Sequence, residues 1–156
     1  DYLCSRDDVD QNQIGIWGGS QGGGMSFATA ALDQRIDYCV ADIPWLGSWE
    51  TYFTLTREEG DEMEEWLAAK EGRNFKDMLK TLSYFDTVNL ADRIKCPTYM
   101  GVGLQDSICP PTISFGVFNR VPGPKEFRIS PKAGHGLGGD HLTWVLGELG
   151  KLSGKL

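Results

Sequence analysis

The chain has 156 residues, 40% of them hydrophobic and 24% charged, with 15 Lys and Arg against 22 Asp and Glu for a formal net charge of −7. That is the length of about one domain, of ordinary globular composition and able to bury a core. No run of Lys or Arg relieves the acidic balance, so a nucleic-acid-binding surface is not expected, and no apolar stretch nears the roughly 20 residues of a membrane span.

In chain order, Ile14 to Trp17 is the first strand-length apolar run, and Gly24 to Leu32 is Ala-rich and predicts a helix. Tyr38 to Ile43 predicts a second strand, bounded by Pro44. Residues 47–82 depart from this rhythm. They hold two short amphipathic patterns, one with Met63, Trp66 and Leu67 and one with Phe75, Met78, Leu79 and Leu82, and read as a helical insertion too long for a plain connection. Thr98 to Val102 is a third strand, Pro110 and Pro111 open a helix through Ile113 and Val117, and Glu126 to Ile129 is a fourth strand. Leu142, Val145, Leu146, Leu149 and Leu152 form the i, i+3, i+4, i+7 stripe of a packed helix, with Asp140 as its expected cap. Strands alternating with helices predict an α/β fold: a four-stranded parallel sheet with helices on both faces.

Four cysteines, Cys4, Cys39, Cys96 and Cys109, are too sparse for a disulfide framework. They form no C-x-x-C pair and, with two histidines, show no zinc-ligand spacing, so they read as buried free thiols and no metal or other cofactor is expected. The chain opens on Asp1 without a signal-peptide pattern and reads as a processed or cut piece.

Gly18-Gly19-Ser20-Gln21-Gly22 fits G-x-S-x-G. It lies between a predicted strand and a predicted helix, the context of a nucleophile elbow. A serine on so tight a turn is exposed in strained backbone, and the Gln21 N–H points into the adjacent space as an oxyanion donor. The competing reading is a glycine-rich turn without chemistry or a phosphate loop, for which the expected Lys or G-x-G-x-x-G is missing. A serine hydroxyl needs a base. His135, in Ala133-Gly134-His135-Gly136 after the last strand, is the candidate, whereas His141 reads as a surface or capping residue. The imidazole in turn needs an acid. Asp106 directly follows the third strand, and Asp42, at the end of the second, competes for the role. The order Ser20, Asp106, His135 is that of α/β-hydrolases. Trp45 and Trp49 are candidates to stack on a substrate or line its pocket, against an ordinary core role.

The segments Gly18-Gly-Ser-Gln-Gly-Gly-Gly24, Ala30-Ala-Leu-Asp33, Val40-Ala-Asp-Ile-Pro44, Thr81-Leu-Ser-Tyr-Phe-Asp86, Lys95-Cys-Pro97, Asp106-Ser-Ile-Cys-Pro-Pro111 and Gly123-Pro-Lys-Glu126 run in register with one family. Together they resemble the acetyl xylan esterase / cephalosporin-C deacetylase family, carbohydrate esterase family seven, over nearly the whole chain. The resemblance implies the C-terminal half of an α/β-hydrolase three-layer sandwich: residues 1–156 as one domain lacking its N-terminal half, with 47–82 as the helical insertion. It implies a metal-free serine esterase acting on acetylated xylo-oligosaccharides or similar small esters. Ser20 would be its nucleophile, Asp106 its acid, His135 its base and the Gln21 N–H one oxyanion donor, the second coming from the absent half. It further implies a homo-hexamer and a cytoplasmic location, with export left open. The family follows its catalytic histidine with Glu, and this chain has Gly136 there. Two rivals stand beside it: another serine hydrolase of this fold, a peptidase or longer-chain esterase, and a truncated, weakly active interaction module.

Overall fold

A computed structural model describes residues 1–57, 60–152 and 154. Its strands β1 (Gly15–Gly19), β2 (Tyr38–Asp42), β3 (Thr98–Gly103) and β4 (Lys125–Ser130) form one parallel sheet in the order β1-β2-β3-β4. The register pairs Gly19 with Asp42, Asp42 with Gly101 and Gly103 with Ser130, so the carboxyl ends of all four strands fall on one edge. The helices are α1 (Gln21–Leu32), α2 (Trp49–Leu55), α3 (Gly60–Ala68), α4 (Phe75–Leu82), α5 (Pro111–Phe118) and α6 (Gly139–Leu152).

Alternation along the central strands makes the layers, because successive side chains leave a strand on opposite faces. Cys39 and Ala41 of β2 and Met100 and Val102 of β3 face Phe27, Ala30 and Ala31 of α1 and Val117 and Phe118 of α5. Val40 and Tyr99 face the other way, onto Val145, Trp144 and Leu149 of α6. The architecture is therefore three layers, α/β/α, as the alternating pattern predicts. Phe27 is completely buried at the centre of the larger layer, and burying such a side chain contributes about 1.5–3 kcal/mol.

Several boundaries differ from the sequence expectation. Helix α1 starts at Gln21 rather than Gly24, although glycine is a poor helix former. Gly23 and Gly24 are buried there, where the first turn passes so close to the segment after β2 that a Cβ at either would meet its backbone. The insertion holds three helices, not two: α2 forms because Trp49 and Tyr52 bury against Ile113, a tertiary contact that local propensity does not report. Helix α4 is capped by Asn74, whose side chain accepts from the Asp77 N–H.

The largest correction concerns α6. Leu142, Leu146 and Leu152 of the expected stripe are exposed. Val145 and Leu149 of that stripe do meet the sheet, but the face is turned so that His141, only 4% exposed, and Trp144 complete it. Asp140 is not the cap but lies in the first helical turn, where its carbonyl accepts from the Arg128 guanidinium at 2.8 Å. Of the thiols, Cys39 and Cys109 are buried, but Cys4 and Cys96 are only partly so. Burial pushes the Cys39 thiol well above its ordinary range.

Candidate active site

The turn between β1 and α1 holds Ser20 at φ 57°, ψ −122°, a conformation costly for a residue with a Cβ. Two neighbours fix it. The Ser20 N–H donates to the Asp42 carbonyl at 2.9 Å, and the Ser20 carbonyl accepts from the Trp45 N–H at 3.0 Å. Gly18 must lack a side chain, because a Cβ there would collide with the backbone of Gly22 across the turn. Gln21 is the first residue of α1, so its N–H belongs to the helical turn whose donors have no partner within the helix. That end of the helix also carries the positive pole of the backbone dipoles.

Asp106 sits just beyond β3 with its side chain fully buried. Its Oδ1 accepts from the backbone N–H groups of Ile108 at 3.0 Å and Cys109 at 2.8 Å, which satisfies a carboxylate that would otherwise be expensive to bury. His135 lies in the loop after β4, its Nδ1 2.9 Å from Asp106 Oδ2 and its Nε2 2.9 Å from Ser20 Oγ. The tautomer follows from the partners. An ionised carboxylate only accepts, so Nδ1 carries the proton and Nε2 turns its lone pair to the serine hydroxyl. The imidazole side chain is 25% exposed.

The structure thus brings Ser20, His135 and Asp106 into one hydrogen-bonded line and leaves Asp42 out of it. Asp42 instead accepts from the Trp17 indole N–H at 2.8 Å and from His141 Nε2 at 2.7 Å. His141, expected at the surface, is buried against that carboxylate, because the α6 face that meets the sheet includes it. Its burial was hidden in the sequence by a stronger leucine stripe one position away. Trp49 is also corrected. It is buried in an aromatic cluster, edge-on to Trp45 with centroids 5.4 Å apart and stacked on Phe53 at 5.8 Å, and offers no face to a substrate. Trp45 is partly buried beside Ser20, reaching it through its backbone N–H.

A parallel sheet between helical layers, with a serine on the strand–helix turn and a His–Asp pair beyond later strands, defines an α/β-hydrolase fold. Solved hydrolases match it closely. An acetyl xylan esterase from Paenibacillus sp. R4 aligns over 95% of this chain and 48% of its own at TM-score 0.88 and 35% identity. Acetyl xylan esterase 1 from Thermoanaerobacterium sp. JW/SL YS485 aligns over 97% of this chain and 49% of its own, also at 0.88, with 29% identity. By sequence, acetyl esterase Axe7A of Xylanibacter ruminicola is 40% identical over 131 residues, 84% of this chain and 29% of that protein. The profile of the acetyl xylan esterase (AXE1) family matches residues 1–145, and the chain belongs to that family. It spans about half the length of these solved relatives and under a third of Axe7A. Among the described residues, no helix is long and apolar enough to cross a membrane.

Proposed function

We propose that this chain carries the acyl-transfer site of a serine esterase that removes acetyl groups from acetylated xylo-oligosaccharides or similar small acetyl esters. The observation that carries the reading is the continuous line from Ser20 Oγ through His135 to Asp106, both contacts at 2.9 Å, in a member of the acetyl xylan esterase family.

In this reaction Ser20 Oγ attacks the acetyl carbonyl carbon as its proton passes to His135 Nε2. The negative charge that develops on the carbonyl oxygen is met by the Gln21 N–H, with a second donor supplied from outside residues 1–156. Each such donor is worth roughly 10²–10³ in rate. The intermediate collapses, the carbon–oxygen bond to the sugar breaks, and the departing alkoxide takes the proton from His135. Water then attacks the acetyl-serine with His135 again as base, releasing acetate and restoring the hydroxyl. Asp106 holds the imidazole in its working tautomer and stabilises the imidazolium in both halves. Trp45, whose backbone N–H bonds the Ser20 carbonyl, remains the candidate aromatic for the acyl site.

The test is intact-mass spectrometry after treatment with a serine-directed organophosphonate, followed by kinetics on acetyl, butyryl and peptide substrates. A single adduct that disappears in Ser20→Ala, with acetyl esters turned over fastest, is the expected result. An adduct with faster butyryl or peptide turnover would move the chain to another class of serine hydrolase. A folded protein that takes no adduct would remove the catalytic reading.

A further inference from the structure

The acyl-transfer reading leaves Asp42 and His141 without a part in the chemistry, although both are buried and charged or polar. Resting on that reading, we propose that Asp42 and His141 are positioning residues: together they clamp the Ser20 turn and the His135 loop to each other.

Asp42 reaches both sides. Its backbone carbonyl holds the Ser20 N–H at 2.9 Å, while its carboxylate accepts from Trp17 of β1 at 2.8 Å and from His141 of α6 at 2.7 Å. One residue therefore touches the nucleophile's own amide, the strand that leads into the turn and the helix that follows the base. His141 stands only six positions beyond His135. The residues between them, Gly136, Leu137, Gly138, Gly139 and Asp140, include three glycines, one at φ +75°. A segment so rich in glycine has little stiffness of its own, and its geometry is set by its anchored ends. The near end is tied by the Gln105 N–H to the Ala133 carbonyl at 2.9 Å. The far end is tied by His141 to Asp42 and by Arg128 to the Asp140 carbonyl.

Two further features agree. Ile43, next to Asp42, is held at φ 39°, a left-handed conformation that a β-branched residue adopts only when its surroundings dictate it. The bonds at Asp42, with the Ile43 N–H on the Gly101 carbonyl at 2.8 Å, supply that constraint. Second, β3 leaves room for the ring, since a Cβ at Gly101 would drive into His141 and Leu137. A buried polar pair is seldom the most stabilising way to fill such a space, because apolar residues pack there without desolvation cost. What it adds is direction: the Asp42 carboxylate accepts only, so it demands the Nε2–H tautomer of His141 and fixes the ring's angle.

The experiment compares His141→Ala, His141→Gln and Asp42→Asn with the wild type and with Leu142→Ala, an exposed neighbour as control. Three quantities are read well below each melting temperature: kcat and KM on a small acetyl ester, and hydrogen exchange of the Ser20 amide. In His141→Ala, kcat is expected to fall about 10- to 100-fold with KM little changed, as displaced catalytic groups do. Exchange at Ser20 should rise about tenfold, and that at Phe27 in mid-helix should not move. His141→Gln places an amide nitrogen near the Nε2 position and should restore most of both. Asp42→Asn should fall between, because the Trp17 indole and His141 Nε2–H are both donors and one amide oxygen cannot serve them equally well. If His141→Ala does not fold, Asp42→Asn against His141→Gln reads the same clamp. A lower melting temperature with wild-type kcat and Ser20 exchange would overturn the proposal, and so would equal losses in His141→Ala and His141→Gln. If the wild type shows no Ser20-dependent turnover, the esterase reading fails separately. The exchange data then decide the clamp by themselves, faster Ser20 exchange in His141→Ala with recovery in His141→Gln supporting it and unchanged exchange overturning it.

Discussion

Two Asp–His pairs stand at the carboxyl ends of neighbouring strands, and they are built differently. Asp106, after β3, is satisfied locally by the N–H groups two and three residues further on, so its turn carries its own counterpart for the buried charge. Its histidine keeps one nitrogen facing Ser20 and a quarter of its side chain exposed. Asp42, ending β2, is satisfied among the described residues by distant partners, Trp17 on one strand and His141 on the last helix. That histidine is buried, and its Nδ1 meets no hydrogen-bond partner among the described residues. The difference separates a pair suited to moving a proton from one suited to holding elements together. Proton transfer needs a half-open ring with a free lone pair aimed at a hydroxyl. A fastening needs a closed ring whose one bond spans the chain.

The comparison is broken most sharply by exchanging charge for amide in each pair. Asp106→Asn should lower kcat about 10⁴-fold, the loss expected when the imidazole adopts the wrong tautomer. The same change at Asp42 should cost no more than about 100-fold, since it only displaces groups already made. Steady-state kinetics on an acetyl ester checks both, and comparable losses would erase the distinction. Next in size is Gly101→Ala, whose new methyl drives into His141 and Leu137. Overpacking of this kind destabilises by about 1–3 kcal/mol, to be read as a lowered urea midpoint, together with a fall in kcat resembling that of His141→Ala. Trp17→Phe removes a single donor from the Asp42 carboxylate. Because Trp17 is itself 42% exposed, the expected loss is only about 1 kcal/mol. The smallest effect belongs to Gly136, next to His135. A Cβ there meets nothing within 4 Å, so Gly136→Ala should stay within about 0.5 kcal/mol in stability and about twofold in kcat. A larger change would show that the loop's freedom matters beyond its anchored ends.

Much of this was legible in the residues. The strands were visible as short apolar runs between breakers, and parallel pairing followed from the helices between them. Ser20, Asp106 and His135 could be singled out because each lies just past a strand, where a parallel sheet collects loop residues along one edge. The choice between Asp106 and Asp42 could not be made that way. Both carboxylates lie at strand ends, so strand position left them even; the family resemblance favoured Asp106, and the positions of His135 and His141 in space show the partner of each. The burial of His141 was equally hidden, and that of Trp49 was one of two readings the residues left open. Which face of α6 meets the sheet depends on how the helix sits over Val40 and Tyr99: Val145 and Leu149 of the expected stripe pack there with Trp144, while Leu142, Leu146 and Leu152 are exposed. Helix α2 likewise forms around side chains, Trp49 and Tyr52, whose partner Ile113 lies some sixty residues away. Sequence alone therefore determined the class of fold and the family and singled out the candidate reacting residues, because those depend on local pattern and on chemistry carried by each side chain. Tertiary structure alone decided that Asp42 is taken up by His141 and which face of α6 meets the sheet, since both are settled by packing between elements distant in the chain.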